Sequence, residues 1–381
     1  MVASRFSTAV DRFVTVPIPE KEPEAHRAAM AKLAEEENAD LFVPVTSPVA
    51  SQYEARLHDV LPSRCFSWSL PYDACCMLDD KVAFCNAAAD LGLPVPASHR
   101  IVCDDDVRAF NVKLHAERAA SPQAKHEKFI FKSLLYDSMH RLDLFTLPCS
   151  PEKLNAYLAE LTIDEEHPWV VQTFITGKEY CAGGVFKDGK FLVYTDNFAS
   201  LSCFNYEPAR LPKIRQWLET FVGARNLSGI ACFDFIVEDD GTPYAIECNP
   251  RASSNLTAFY GTPAMGAVLC NPLAPPFDSI IEPLPSCVET YWLFSEAMYA
   301  VQAIRKASVV QLPAVAAQRA ALLLSTLLCK KDAYFNYDDP LPFLAHLYVH
   351  IPVLLLRNLR TGNKWAKIDP CIGKLTEENG D

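Results

Sequence analysis

One short stretch constrains this chain more than any other. Two apolar runs, Ile230–Val237 and Tyr244–Cys248, flank Asp240-Gly241, a dipeptide favoured in tight strand-reversing turns. A hairpin centred on that turn sets Asp234 opposite Glu247. Period-two alternation then puts Asn249 on the same face as Glu247. Two carboxylates facing each other among Phe233, Phe235, Ile236 and Ile246 repel and lose hydration. A hard divalent cation removes both costs, and Mg²⁺ takes one or two protein carboxylates together with substrate phosphates. Arg251 follows at once, a planar cation suited to phosphate. The plainer alternative is a solvated hairpin face carrying ordinary surface acids.

Two upstream lysines extend the pattern. Asp79-Asp80-Lys81 opens a helix that Gly92 closes, with Pro94 and Pro96 beyond it; acids in the first turn and glycine past the end fit helix polarity. Phe129-Ile130-Phe131-Lys132 reads as a strand ending in a cation. Each lysine alone is ordinarily a surface residue; with the hairpin they make a nucleotide phosphate site. Gln172-Thr173-Phe174-Ile175-Thr176-Gly177-Lys178-Glu179 reads as a strand end and a turn. Its backbone can pair with an adenine edge between Phe174 and Ile175, and Glu179 can accept from ribose hydroxyls. The alternative is a plain strand and turn with an exposed Glu. Gly177-Lys178 lacks the preceding glycine and following Ser/Thr of a phosphate loop.

The rest of the chain reads as α/β. A helix is expected over Glu24–Asn38, a short buried strand at Leu41–Val45, a helix over Pro151–Leu161 and a strand at Trp169–Ile175. A hairpin is expected around Asp188-Gly189, joining Tyr180–Phe186 to Lys190–Thr195, and a helix over Pro212–Ala224. The division expected along the 381 residues is a reduced N-terminal α/β lobe over 1–75, a nucleotide-holding domain over 76–285 and an apolar helical region over 286–381. Half of the residues are hydrophobic, so a packed core forms. With 35 Lys and Arg against 47 Asp and Glu the net charge is −12, which argues against a general nucleic-acid binder but not against a local basic pocket.

The 14 cysteines show no CxxC pair and no spacing typical of structural zinc. They read as small buried hydrophobes of a reducing, cytoplasmic setting, Cys232 and Cys248 within strands. The N-terminus lacks the charged-then-apolar pattern of a signal peptide. Leu341–Leu356 is the most hydrophobic stretch, yet it contains Pro342, Pro352, His346 and His350 and falls short of the roughly 20 apolar residues a spanning helix needs. It is read as a buried or lid helix, and no stable membrane span is expected.

Taken together, Asp80-Lys81, Phe131-Lys132, Gln172 to Glu179 and Asp234 with Glu247-Cys248-Asn249-Pro250-Arg251 resemble the ATP-grasp family over residues 80–251. The resemblance implies an ATP-grasp fold, with ATP and Mg²⁺ (or Mn²⁺) as cofactors. By that resemblance Lys81 and Lys132 bind ATP phosphates, Gln172, Thr173 and Ile175 hold adenine, with Phe174 beside it, and Glu179 holds the ribose. Asp234, Glu247 and Asn249 hold magnesium, and Arg251 contacts the transferred phosphate. The family's glycine-rich loop after the strand lysine is missing, since 133–143 contains no glycine; His140 and Arg141 are the residues placed to cover the phosphates instead.

A narrower resemblance spans most of the chain. Phe6–Phe13, Val45–Ser51, Tyr136–Leu144 and Lys367–Leu375 are similar to segments of the ATP-grasp ligases of mycosporine biosynthesis. That implies joining a cyclohexenone-type acid, 4-deoxygadusol, to an amino acid, glycine, with release of ADP and phosphate. Two alternatives stay open: a carboxylate–amine ligase with another acid, and a nucleotide-binding regulatory protein without catalysis.

Overall fold

The computed structural model describes residues 3–45, 50–120, 128–135, 137, 140, 143–199, 205–274, 278–361, 368–369 and 374–375. The fold is α/β, as expected. A helix over Pro23–Glu36, opened by its own proline, precedes β1 (Leu41–Phe42), which pairs in parallel with β2 (Phe66–Ser67). Helices follow at Tyr72–Asp79 and Lys81–Ala89. Asp80 separates them: its backbone is extended and its carboxylate accepts from the amides of Val82 and Ala83, both at 2.9 Å, a side-chain N-cap. Gly92, at φ +71°, follows the second helix as expected.

Next come β3 (Ser98–Ile101), a helix over Asp104–Ala120, β4 (Phe129–Ser133), β5 (Thr146–Leu147), a helix over Pro151–Leu158 capped by Ser150, and β6 (Trp169–Thr173). Strands β7 (Lys178–Lys187) and β8 (Lys190–Ala199) are separated only by Asp188 and Gly189, both at positive φ, as a two-residue turn of this kind requires. After β9 (Tyr206–Pro208) the predicted helix runs from Pro212 to Ala224, and β10 (Gly229–Val237) and β11 (Pro243–Asn249) form the expected hairpin.

The chain divides into two compact units. The larger is built on Pro17–Phe191 and Leu211–Ser253. It contains an antiparallel sheet in the order β3-β6-β4-β5 and an antiparallel set β11-β10-β7. Each has one face sealed by its own core. Behind the first, Phe131, Trp169 and Val171 pack with Val107, Leu114, Leu154 and Leu158. Behind the second, Phe233 and Phe235 meet Phe84, Trp217 and Phe221, with ring centroids 5.3–6.4 Å apart across the cluster. Trp217 Nε1 donates to Pro94 O at 3.1 Å, so even its polar edge is satisfied.

The smaller unit is built on Met1–Val16, Leu192–Arg210 and Ser254–Leu375. Helices at Leu293–Lys306, Leu312–Cys329 and Ile351–Thr361 dominate it. Its small core sets His346 flat on Tyr334, centroids 4.7 Å apart, beside Trp292 and Ile351. Of the two expectations for Leu341–Leu356, a buried or a lid helix, the buried one is corrected here. The stretch is helical but broken by a π-turn at His346–His350, and Leu341, Leu344, Val353 and Leu356 are between 42% and 55% exposed. Its apolar residues are distributed around the helix, so one face cannot hide them all. A different helix, Leu312–Cys329, is long and apolar enough to cross a membrane by length and composition, with a mean hydropathy of 1.5.

Candidate functional site

Alternation along the strands of the larger unit decides what the open faces carry. Phe233 and Phe235 point into their core, so Asp234 points away from it. Phe131 points into the other core, so Lys132 points away. On β7 the cross-strand partners of Asp234 and Ile236 are Cys181 and Glu179, which places Glu179 on the same face as Asp234. On β6, Gln172 alternates with the buried Val171 and shares its side of the sheet with Ser98, its partner on β3.

The hairpin reaches its expected pairing by an unexpected route. Gly241 N donates to Glu238 O, and Glu238 N to Thr242 O, so the reversing loop contains Asp239, Asp240 and Gly241 and is one residue longer than the predicted Asp240-Gly241 turn. That alone would shift every pair by one and turn Glu247 to the core side. A β-bulge between Asp234 and Phe235 absorbs the difference: Phe235 pairs with Ala245, Asp234 pairs with Glu247, and Ile246 is the extra residue. Cys232 pairs with Asn249, so Asp234, Glu247 and Asn249 end on one face as predicted. Gln172 Nε2 reaches the bulge, 3.5 Å from Ile246 O, and also donates to Ser98 Oγ at 3.0 Å.

Cations and anions interleave around this face. Lys81 Nζ lies 3.5 Å from Glu247 Oε2. Burial holds the Lys132 ammonium below the usual lysine range, while Glu247 and, more weakly, Asp234 favour its charged form. Asn249 Nδ2 donates to Asp234 Oδ2 at 3.2 Å, and Arg251 Nη2 donates to Asn249 Oδ1 at 3.1 Å. Sequence reasoning used Asp79 only as a helix-opening acid. Here it joins the cluster: burial raises its carboxyl, while a hydrogen bond from Gln52 Nε2 at 3.0 Å and the charges of Lys81 and Arg251 oppose that rise. No sequence spacing links Gln52 to Arg251, so only the fold brings these groups together.

The turn after β6 is pinned by contact rather than by φ. A Cβ on Gly177 would stand 2.2 Å from Val237 O, so the chain passes the end of β10 too closely for any side chain. The backbone N–H groups of Thr173 and Phe174 are spent on Ala97 O and Lys128 O, at 2.9 and 2.8 Å. The Gln172 side chain is 2% exposed and committed to Ser98 and Ile246. Those two amides are therefore not open to the expected adenine edge; Phe174 beside them is half-buried and Ile175 buried. His140 stands beside Trp169 and Tyr157, centroids 6.0 and 6.3 Å away, with Nδ1 2.7 Å from Asp137 Oδ2. Trp169 belongs to the core behind Lys132, so the imidazole lies on that side and not over the lysine. Arg141 lies outside the described residues.

The donor set fits a hard cation and an anion together. Asp234, Glu247 and Asn249 offer only oxygen atoms for a metal, the preference of Mg²⁺. Beside them Arg251 Nε is buried with no hydrogen-bond partner among the described residues, a charged donor that suits an anionic acceptor.

No family model matches the chain, and no curated protein matches it. Solved structures do. The L-amino acid ligase from Bacillus licheniformis is 20% identical, with a TM-score of 0.48 over 70% of this chain and 64% of that one, short of two thirds of its length. N5-carboxyaminoimidazole synthetase from Staphylococcus aureus, solved with ADP, is 14% identical, with a TM-score of 0.45 over 61% of this chain and 58% of that one. D-alanine–D-alanine ligase from Bacillus anthracis, solved with ATP, is 16% identical, with a TM-score of 0.41 over 58% of this chain and 71% of that one.

Proposed function

We propose that the chain is an ATP- and Mg²⁺-dependent ligase of the ATP-grasp type that phosphorylates an acceptor oxygen and couples the activated acceptor to an amine. The observation that carries this reading is the single locus formed by Asp234, Glu247 and Asn249 with Lys81, Lys132 and Arg251. Two facing carboxylates beside two lysines and an arginine with an open donor suit a metal–polyphosphate far better than a solvated strand face. When bound, Mg²⁺ neutralises charge on the phosphate oxygens.

The chain's own groups do the rest. Lys81 and Lys132 supply point charges for the phosphates, and the partly buried setting of Lys132 strengthens its pull on an anion. Arg251, held by Asn249 and by Ala252 O, presents a fixed guanidinium to the phosphoryl group. Glu179, on the same sheet face as Asp234, is assigned to the ribose, and Phe174 and Ile175 to the walls of the adenine site. Arg141 is assigned to the phosphates by its position in the sequence. Transfer to the acceptor turns a poor leaving group into phosphate, and attack by the amine releases it and forms the C–N bond.

For the substrates, the similarity of Phe6–Phe13 and the other segments to ligases of mycosporine biosynthesis supports 4-deoxygadusol and glycine. The test is mass spectrometry of a reaction holding ATP, Mg²⁺, 4-deoxygadusol and glycine. A condensed product with stoichiometric ADP is expected. ADP formed only with other acids would retain the ligase and discard these substrates. ATP binding with no substrate-stimulated ADP release would discard catalysis.

A further inference from the structure

The face that carries Asp234 also carries sulfur. Cys181 is the β7 partner of Asp234, and Cys232 lies two residues before Asp234 on β10, so both thiols share its side of the sheet. Their sulfur atoms stand 2.8 Å apart, and both residues are buried, at 5% and 2% exposure. The two Sγ atoms and a carboxylate oxygen of Asp234 all lie within 4.8 Å of one another. Cys248, equally buried, pairs with Phe233 and points into the aromatic core, so it takes no part. No sequence motif announces this group, because the ligands come from two strands that are distant along the chain.

We propose that Cys181, Cys232 and Asp234 form a second cation site, for one thiophilic divalent ion such as Zn²⁺, which borrows Asp234 from the Mg²⁺ site and so opposes Mg²⁺ binding. Two sulfurs and one carboxylate oxygen give a tetrahedral ion three protein ligands and leave a fourth position open, the arrangement of non-structural zinc sites. Thiolates select zinc over magnesium because they are soft donors, whereas Glu247 and Asn249 offer hard oxygen alone. Two sulfurs on one tetrahedral zinc sit roughly 3.8 Å apart for Zn–S bonds of about 2.3 Å. The thiols need only part by about 1 Å to admit the ion, each releasing its proton to solvent. The shared carboxylate makes the two ions rivals: drawn toward sulfur, Asp234 leaves Glu247 with an incomplete oxygen set. The rivalry rests on the Mg²⁺ assignment made above, whereas the thiol site itself does not.

Co²⁺ titration of the full chain tests both parts without ATP or turnover. Cys103, Cys270 and Cys329, exposed thiols that would bind cobalt adventitiously, are first replaced by Ser. The proposal expects one equivalent of Co²⁺ with thiolate-to-cobalt charge-transfer absorption and the visible bands of tetrahedral cobalt. Both are lost in Cys181→Ser and in Cys232→Ser and kept in Cys248→Ser, with circular dichroism confirming that each variant is folded. Mg²⁺ should weaken Co²⁺ binding on the order of tenfold. No sulfur-to-cobalt absorption, absorption that survives both substitutions, or a Cys181–Cys232 disulfide found by mass spectrometry in the air-exposed protein would overturn the site. Absorption insensitive to Mg²⁺ would overturn the rivalry alone. A chain that binds Co²⁺ as described but forms no ligase product would keep this site while the proposed function falls.

Discussion

Glu247 meets both kinds of partner in the cluster, facing Asp234 across the hairpin and Lys81 at 3.5 Å. Glu247→Gln keeps the shape and removes the charge, so a folded protein with Mg²⁺–ATP turnover lowered about 100-fold is expected. Asp234→Asn should do the same, and steady-state ADP release with a melting curve on each variant checks both. Arg251→Lys tests a different property. Lysine restores the charge but not the Nε donor, which is buried and has no partner among the described residues. A turnover closer to that of Arg251→Ala than to wild type is the expected outcome, and full rescue by Lys would mean that charge alone is used. At this scale much was legible in advance. Asp234, Glu247 and Asn249 followed from period-two alternation, whereas Asp79 and Gln52 did not, because their place in the cluster depends on how a helix packs and not on any local pattern.

Elements explain where sequence reading succeeded for an incomplete reason. The Asp240-Gly241 signal gave the hairpin and its pairing near the site, but the loop is one residue longer and the bulge at Ile246 compensates. A bulge has no strong residue signature, since its cause is the match between a loop length and a sheet edge, so it was invisible in the one-dimensional pattern. Helix starts were easier: the helix over Pro212–Ala224 keeps its expected bounds, and the one expected to open at Asp79-Asp80-Lys81 begins at Lys81, with Asp80 as its cap rather than as an acid of the first turn and Asp79 ending the preceding helix. Gly177 shows a contact no sequence window reveals. Gly177→Ala drives a methyl group against Val237 O and should cost about 1–3 kcal/mol of stability. Because the turn lies between the adenine and ribose positions of the proposed site, KM for ATP should rise more than kcat falls. A variant with wild-type melting temperature and KM would show that the chain has room there.

On the scale of the whole molecule, the buried aromatic group of the smaller unit makes stability depend on pH. Burial, with His350 nearby, holds His346 below the ordinary histidine range while it lies flat on Tyr334. A lowered folded value means the neutral form is the one the fold prefers. Its contribution is therefore present above the unfolded histidine value and is lost as pH falls through the folded one. Between about pH 7 and pH 5 wild type should lose more melting temperature than His346→Phe, which keeps the ring stack and cannot protonate; equal losses would contradict this. Hydrophobic content foretold a packed core and the alternation of strand and helix patterns an α/β fold, but neither foretold the exposure of Leu341–Leu356, because a count of apolar residues says nothing about which neighbours cover them. The account as a whole rests on a metal–nucleotide gripped by the β10–β11 face. Mn²⁺ binding followed by electron paramagnetic resonance, with and without ADP, tests that most directly. Wild type should bind Mn²⁺ far more tightly when ADP is present, and Asp234→Asn and Glu247→Gln, still folded, should lose that gain. Nucleotide-enhanced Mn²⁺ binding of wild-type strength in both variants would contradict the account.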